Sequence, residues 1–466
     1  MLVGAYNWIA MQVLAPMFDA SRGTSTCASL QELEQTQWWP YDQLVDLQSR
    51  RLRALIAHVY DHVPFYRTWM RKVGLVPSDV KSAADVSLLP VMTRDRVRLM
   101  RAELEADVVP AGRVFEARTG GATGEPLRFT TTTHDVLSRG VARSLRAQSW
   151  AGYRVGDPSV GLFEPPRDRT LLGRLRDGVV CAIERRTVLG AADMSPLRLE
   201  VAARKVESHP GCFLSGLSSA VYLFALYAQQ RGGLTHPPGG IITGGEPLYE
   251  YQRETIERVF GIRPLSKYST TEVLDIASQC HHGTGYHIAA EDVVVEVVDD
   301  TGQPCPPGVP GRLIVTNLHN YAMPLLRYDL GDSGVLGQGQ CACGRALPLI
   351  ERMDGRQTDT IVTPDGRRVP GAALPWCFLV DYEVRQVQIV QDCVQSITIL
   401  LVFQSWVGAE TTSRAMSDVR SRYESVLGTS IRLDIRVAHD IPPGPQGKRA
   451  FVVSTVADRL RLSDSA

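Results

Sequence analysis

The chain carries no net charge: 50 basic residues offset 50 acidic ones over 466 positions. A sequence so balanced lacks the electrostatic footprint of a nucleic-acid binder; it suits small, roughly neutral or locally recognised substrates. Cysteine is scarce and odd in number, nine in a long chain. That is a poor disulfide framework, and a reducing, cytoplasmic setting is the simpler reading. Internal repeats and low-complexity tracts are absent. One stretch without charge, Met1–Phe18, opens the chain, but Gly4, Asn7, Gln12 and Pro16 interrupt it. It has neither a clear basic n-region nor a clear small-residue cleavage site. It reads as a docked or interfacial amphipathic helix, so any membrane contact is peripheral; no later segment reads as a span. A Walker A sequence is also missing: no glycine-rich loop here ends in GK[ST].

What is present is a large apolar fraction, 44%, with 21% charged residues, enough for a sizeable soluble core. The length favours two domains. Tyr41–Val73 has helical periodicity through Leu44, Leu47, Leu52, Leu55, Ile56 and Val59, broken at Pro64. A second helical stretch follows LLPVMTRDRVR, with Thr93 as its N-cap. From about Val114, strand and helix signals alternate: helices at Leu197–Ser208, Ser218–Gln230 and Tyr251–Phe260, and a buried strand in GIITGG at Gly240–Gly245. This predicts an α/β fold with mostly parallel sheets flanked by helices. Val293–Val298 and Arg312–Thr316 read as further strands. Beyond Gly355–Arg356 the pattern becomes a compact α+β unit: strands at Asp359–Val362, Val384–Val390, Ser396–Phe403 and Arg432–Val437 with a helix at Ser413–Leu427. The expected division is a large domain over 1–355, its first 110 residues mainly helical, and a small domain over 356–466.

Six glycine- or charge-bearing segments carry the chemistry. RTGGATGEP, Arg118–Pro126, sets three glycines and two threonines between two strand-like segments. Such a loop can aim N–H groups and hydroxyls at a phosphate; a plain hairpin turn is the alternative. GGEPL begins at Gly244, where a buried strand ends, and ligands favour the carboxyl ends of parallel strands. KYSTTE closes on Glu272, a carboxylate of the kind that binds Mg²⁺ beside a triphosphate. RYDLGD places Asp332 where it could accept from ribose hydroxyls. GKR, Gly447–Arg449, holds a lysine on a Pro/Gly-rich loop, a point charge for a carboxylate or phosphate; GRQTD lies at the domain boundary. GDSG at Gly331–Gly334 lacks a histidine and aspartate constellation, and the loose dinucleotide pattern from Gly337 lacks its helix and acidic residue.

In this order the segments resemble the adenylate-forming superfamily of acyl-CoA synthetases and adenylation domains. HVPFYR, LLPVMTRDRVR and CACGRALPLIERMDGR narrow the resemblance to the phenylacetate–CoA ligase-like family, and the first sixty residues look most like its capsular-polysaccharide-biosynthesis branch. The resemblance implies a large AMP-binding domain, a small mobile domain carrying a catalytic lysine, and an ATP-dependent ligase using Mg²⁺ and, by default, coenzyme A. A carrier-protein thiol, an amine or a hydroxyl are the other acceptors it allows. It implies that Thr119, Gly120, Gly121, Thr123 and Gly124 hold the β,γ-phosphates. Gly245, Glu246 and Pro247, with Tyr268, Ser269 and Thr271, line the nucleotide site. Glu272 holds Mg²⁺, Asp332 and Arg356 fix the ribose, Asp359 lies near the hinge, and Lys448 orients the carboxylate and the α-phosphate. Glu125 departs from the pattern, standing where many relatives have lysine; Ser269 stands where glycine is usual. Gly161–Pro166 and Ser215–Ser219 would contribute to the acid pocket. A non-catalytic nucleotide-binding scaffold is the rival, and the joint retention of Glu272, Asp332 and Lys448 favours the ligase.

A metal site is a separate expectation. Cys280, His287, Cys341 and Cys343 are the first-choice ligands for a structural Zn²⁺. His281, His282 and Cys305 compete, and buried free thiols with surface histidines are the alternative.

Overall fold

The structure, a computed structural model, describes residues 2–110, 112–119, 127–164, 178–191, 193–283, 285–356, 360–370, 374, 379, 382–443 and 449–456. The helical lead-in forms as its periodicity predicts. Helix Tyr41–His62 buries Leu44, Leu52, Leu55, Ile56 and Val59. Pro64 does not merely end that pattern. It occupies the first turn of a new helix, Pro64–Val73, where a missing N–H is harmless, and Gly74 closes that helix with a φ of 73°. Thr93 caps helix Arg94–Leu99, its hydroxyl accepting from the Arg96 N–H at 3.3 Å.

Two strands, β1 (Val114–Arg118) and β2 (Arg128–Thr132), form a separate antiparallel hairpin. The main sheet has eleven strands in the order β10-β11-β12-β13-β9-β8-β7-β6-β5-β3-β4. Its parallel half comprises β3 (Ser159–Leu162), β4 (Arg186–Leu189), β5 (Phe213–Gly216), β6 (Gly240–Gly244) and β7 (Leu265–Thr270). Helices Pro196–Glu207, Ser218–Gln230 and Glu250–Phe260 supply its crossovers. The other half is antiparallel: β8 (Leu274–Gln279), β9 (Tyr286–Ile288), β10 (Val293–Val298), β11 (Pro310–Asn317), β12 (Tyr328–Leu336) and β13 (Leu349–Arg356). The α/β class holds, but parallel pairing stops at β7. A parallel neighbour needs a long crossover, whereas only Thr271–Val273 separates β7 from β8. The sheet is therefore mixed. No helix among the described residues is long and apolar enough to cross a membrane.

Toward the C-terminus, β14 (Thr360–Val362) pairs with β15 (Arg368–Pro370). A four-stranded sheet follows in the order β18-β17-β16-β19, from β16 (Val384–Cys393), β17 (Ser396–Phe403), β18 (Arg432–Val437) and β19 (Val452–Ser454). Helix Ala409–Leu427 buries Val419, Tyr423 and Leu427 with Ile389, Ile399, Leu401 and Leu433 of that sheet.

Several residues join the lead-in to the main sheet, Gln48 by donating to Val293 O at 2.8 Å, and one of them does so from a left-handed backbone. Arg327 precedes β12 with a φ of 47°, a region that suits few residues other than glycine. Its guanidinium donates to the carbonyls of Ser87, Leu89 and Gly302 and pairs with Glu296 at 3.0 Å. Beside it the Met92 N–H donates to Arg327 O and Asp329 N–H to Met92 O, at 2.9 and 3.0 Å. Removing one partner of a buried ion pair strands the other. Arg327→Ala should lower stability by about 3 kcal/mol or more, read as a fall in the urea midpoint, and Glu296→Gln in the same chain should restore part of it. An unchanged midpoint for Arg327→Ala would show that the pair is solvated.

Candidate active site

The hairpin β1–β2 presents the first glycine-rich segment. Its neck is closed by the Thr119 N–H donating to Leu127 O at 2.9 Å and by the Leu127 N–H donating to Thr119 Oγ1 at 3.0 Å. Thr119 is buried. Gly120, Gly121, Thr123, Gly124 and Glu125 lie outside the described residues. A side chain that sequence reasoning did not single out meets this neck: Arg94 Nη2 donates to Thr119 Oγ1 at 2.6 Å. Its signal was the LLPVMTRDRVR segment itself, whose arginine stands one residue past the N-cap.

Strands β3, β5 and β6 end close to one level, Leu162 opposite Gly216 and Gly216 opposite Thr243, and β7 runs a few residues further; ligands favour such carboxyl ends. At the end of β6, Gly244 is required by space, since a Cβ there would lie 2.8 Å from Lys267 Cγ, and Gly245 by its φ of 79°. Pro247 is exposed. Glu246 does more than turn the chain. Its Oε2 accepts the Ser219 N–H at 2.9 Å, at the start of helix Ser218–Gln230, and its backbone carbonyl accepts Ser218 Oγ at 3.1 Å. Its Oε1 accepts the Arg449 N–H at 2.7 Å. Arg449 of the GKR segment is thus brought to GGEPL across the intervening chain. Arg449 Nη1 also reaches Ala191 O at 3.4 Å, and Phe451 packs on Tyr249 with tilted rings whose centroids are 4.9 Å apart. Burial pulls the Arg449 guanidinium below its ordinary pKa, with the Glu246 carboxylate opposing. Lys448 itself lies outside the described residues, as do Asp359 and positions 165 and 166 of the expected acid pocket.

Strands β7 and β12 bring two further segments together. Tyr268 OH donates to Asp332 Oδ2 at 2.7 Å. Asp332 reaches that position through a bulge: the β11–β12 register jumps from Arg312↔Ser333 to Ile314↔Asp329. Gly331, at φ 74°, donates its N–H to Asp329 Oδ1 at 2.8 Å inside it. Asp332 pairs in register with Arg356 of β13; the Arg356 side chain is not among those described. Ser269 is half-buried and Thr271 exposed. Glu272 sits on the tight β7–β8 turn, nearly buried, and accepts Tyr328 OH at 3.1 Å. Burial, then the adjacent Glu272 carboxylate, push the Tyr328 hydroxyl well above its usual pKa, while the Arg94 charge opposes this. Leu274, the first residue of β8, is left-handed at φ 58°, so the backbone that leaves this turn is strained. Tyr328 belongs to the RYDLGD segment, but only its aspartate had been singled out.

The four expected metal ligands converge. Cys280 follows β8, His287 lies on β9, and Cys341 and Cys343 lie on the connection between β12 and β13. Their ligand atoms all fall within 4.8 Å of one another. Cys280 Sγ and Cys341 Sγ are 3.7 Å apart, and Cys343 Sγ lies 3.4 Å from His287 Nε2. Zinc with Zn–S bonds of about 2.3 Å in a tetrahedron spaces its sulfurs about 3.8 Å apart, so the donor set fits. His281, His282 and Cys305 are not part of this cluster. Burial, then Arg345, hold the His287 pKa down to about 4, keeping the imidazole neutral as a ligand must be. Burial, with the neighbouring thiols, pushes Cys280 up to about 12. The Arg345 guanidinium lies over Trp38 and Trp150, 4.7 and 4.5 Å from their ring centres, and donates to Gln37 Oε1 at 2.9 Å.

Comparison with known proteins follows this geometry. Residues 361–455 match the family described as the CapK C-terminal domain. The chain is 28% identical to phenylacetate–coenzyme A ligase of Thermus thermophilus over 69% of its own length and 72% of that protein's. It is 20% identical to protein CapK of Staphylococcus aureus over 89% of its length and 90% of that protein's. Among solved structures, 2-hydroxyisobutyryl-CoA ligase in the postadenylation state with 2-HIB-AMP shares the fold, with a TM-score of 0.69 at 19% identity, covering 90% of this chain and 91% of that one.

The Glu246 bridge is open to a direct test. Glu246→Ala removes the acceptor of the Arg449 N–H, so trypsin should cut after Lys448 or Arg449 several times faster than in the unaltered protein. An unchanged rate would show that this contact does not hold the segment.

Proposed function

The chain belongs to the phenylacetate–CoA ligase-like family, on its CapK side, and from that premise we propose that it is an AMP-forming carboxylate ligase. It joins a carboxylic acid to ATP and passes the acyl group to a thiol, coenzyme A by the names of its relatives. The observation that carries this is the Arg449 N–H on the Glu246 carboxylate. It brings the residue next to Lys448 onto GGEPL, the segment assigned to the nucleotide.

The first step is displacement at phosphorus. A carboxylate oxygen attacks the α-phosphorus of ATP, the bond to pyrophosphate breaks, and an acyl-adenylate forms. In the second step a thiolate attacks the acyl carbon, and AMP leaves with the bonding electron pair. Both carboxylate oxygens of Glu246 accept backbone N–H groups, so Gly245, Glu246 and Pro247 would meet adenine with their backbone, and Tyr268, Ser269 and Thr271 would line the same site. Asp332, aligned by Tyr268 OH, would accept from the ribose, with Arg356 beside it. Thr119, Gly120, Gly121, Thr123 and Gly124 would hold the β,γ-phosphates. Glu272, aligned by Tyr328 OH, would hold Mg²⁺, which when bound supplies charge neutralisation. Lys448 would steady the carboxylate against the α-phosphate as negative charge crowds together. We place a hinge near residues 355–359, so that the small domain can turn between the two half-reactions.

Cys280, His287, Cys341 and Cys343 complete the reading as a structural zinc site. Three thiolates and one imidazole leave the centre with excess negative charge, and Arg345 is placed to offset it.

Pyrophosphate exchange into ATP, run over a panel of aryl, fatty and amino acids, tests the ligase. At least one acid should support exchange, and Lys448→Ala should slow it by about a hundredfold or more with ATP binding still measurable. No exchange with any acid, together with no AMP release, would leave the nucleotide-binding scaffold as the better reading. For the metal, the purified protein should carry about one zinc per chain, and chelation or Cys341→Ser should lower its thermal midpoint. A zinc-free preparation that chelator does not destabilise would remove the metal.

A further inference from the structure

We propose that Lys267 and Asp275 choose the acid: their ion pair receives a hydroxyl group on the substrate, so the enzyme activates a hydroxylated carboxylic acid. This inference rests on the ligase reading above and names a substrate class for it.

Lys267 opens KYSTTE on β7. Successive strand residues point to opposite faces, so while Tyr268 turns to Asp332, Lys267 faces the other way. Its register partner on β6 is Gly244. A Cβ at 244 would lie 2.8 Å from Lys267 Cγ and 3.2 Å from its Cε, so glycine lets the lysine stem lie across the end of β6. The ammonium donates to Ser144 Oγ on helix Val141–Trp150 and to Asp275 Oδ2 on β8, both at 3.0 Å. The pair thus stands at the carboxyl end of a parallel strand, where α/β sheets receive ligands. The Asp275 side chain is 5% exposed and that of Lys267 16%, so the pair is sheltered but reachable at the ammonium. Behind it, Arg143, Asp275 and Ser278 line a cavity of about 10 Å³. That is room for one water, so a substrate group approaches from the strand end.

Packing does not call for charge at this place. A turn further along, the same helix meets the sheet through apolar side chains, Ala147 and Trp150 against Phe213, Ile242 and Leu265. An apolar pair would hold such a contact at least as well as a buried ion pair. The change to Ser144, Lys267 and Asp275 falls at the strand ends. Gly161 and Ser215, expected in the acid pocket, share this face: alternation sets Ser215 with Phe213, and Gly161 is its register partner, with a Cβ there 3.7 Å from Ser215 Oγ.

The chemistry of the pair names the group it takes. An ammonium has three N–H donors, and Ser144 and Asp275 use two of them. Burial pushes the Asp275 carboxyl up, but Lys267 and the hydroxyls of Ser144 and Ser269 hold it below its ordinary pKa, so it is ionised. The two charges cancel. A substrate carboxylate would be opposed by Asp275, and a substrate ammonium by Lys267. A hydroxyl accepts from Lys267 Nζ and donates to the Asp275 carboxylate. An apolar tail would strand the remaining donor, and a site built for a hydroxyl rejects an analogue that lacks it.

Pyrophosphate exchange on matched acids reads this: hydroxybenzoates against benzoate, hydroxyphenylacetates against phenylacetate, and hydroxybutanoate against butanoate, with succinate and alanine as charged controls. A hydroxylated acid should be the best substrate, with kcat/KM about tenfold or more above its unhydroxylated partner. Replacing both charges at once, Lys267→Met with Asp275→Asn, leaves neither one unpaired and should bring that ratio close to one. A structural role would slow both acids alike and leave the ratio standing, which would overturn the proposal. So would a best substrate that is charged at its tail or lacks a hydroxyl. If the double variant does not fold, the ratio in the unaltered protein decides alone. No exchange with any acid would instead remove the ligase reading, and this proposal with it.

Discussion

Arg327 holds a left-handed backbone with its guanidinium buried against Glu296 and three carbonyls, and the candidate site is laid out from that point. Toward the lead-in, it fixes the Ser87–Met92 segment against the sheet, and so aims Arg94 at Thr119. Along β12 it sets the start of the strand, so Tyr328 meets Glu272 and the bulge after Asp329 turns Asp332 toward Tyr268. A non-glycine residue at positive φ is strained, and the strain persists here because the side chain is tied on every side. Glycine at 327 would relax the backbone and lose all four anchors.

Much of this was legible in the sequence, and the parts that were not share a cause. Helices with a clear apolar stripe, such as Tyr41–His62, and strands rich in valine, such as Val293–Val298, form where the pattern put them. Strands β12 and β13 were harder. RYDLGDSGVL and LIERMDGR mix glycine and charge with only fragments of alternation, because their pairing is irregular and their residues serve the site as well as the sheet. The turn from parallel to antiparallel pairing is set by the three-residue connection at Glu272, which local propensity does not report. The cysteine and histidine cluster was readable by donor type, although Cys280 and Cys341 stand 61 positions apart. Arg94 and Tyr328 were invisible as partners, since their meeting depends on Met92 pairing with a strand more than two hundred residues later.

Glu246 links the middle of the chain to its C-terminal part in another way. One carboxylate joins the start of a helix of the main sheet to the Arg449 amide. Hydrogen bonds from N–H groups to a carboxylate are stronger than neutral ones, yet they bind backbone only and impose no side-chain fit. Such a contact can form and break as one unit, which suits the proposed turning of the small domain between half-reactions.

The metal-type cluster stands apart from the chemistry, and the strands show why. Strand β8 begins beside Glu272 and ends beside Cys280; six residues of strand span about 20 Å. Strand β12 likewise starts at Tyr328 and leads on to Cys341 and Cys343. An ion at the far ends could not reach a phosphate near Glu272. What it would do is tie β8, β9 and the β12–β13 connection to one another. The β8–β9 and β13–β9 pairings are short, with few rungs each, and short ladders hold register weakly. A four-ligand clamp beyond them would fix the register that short ladders leave loose. The same register sets where Glu272 and Asp332 stand at the opposite ends of those strands.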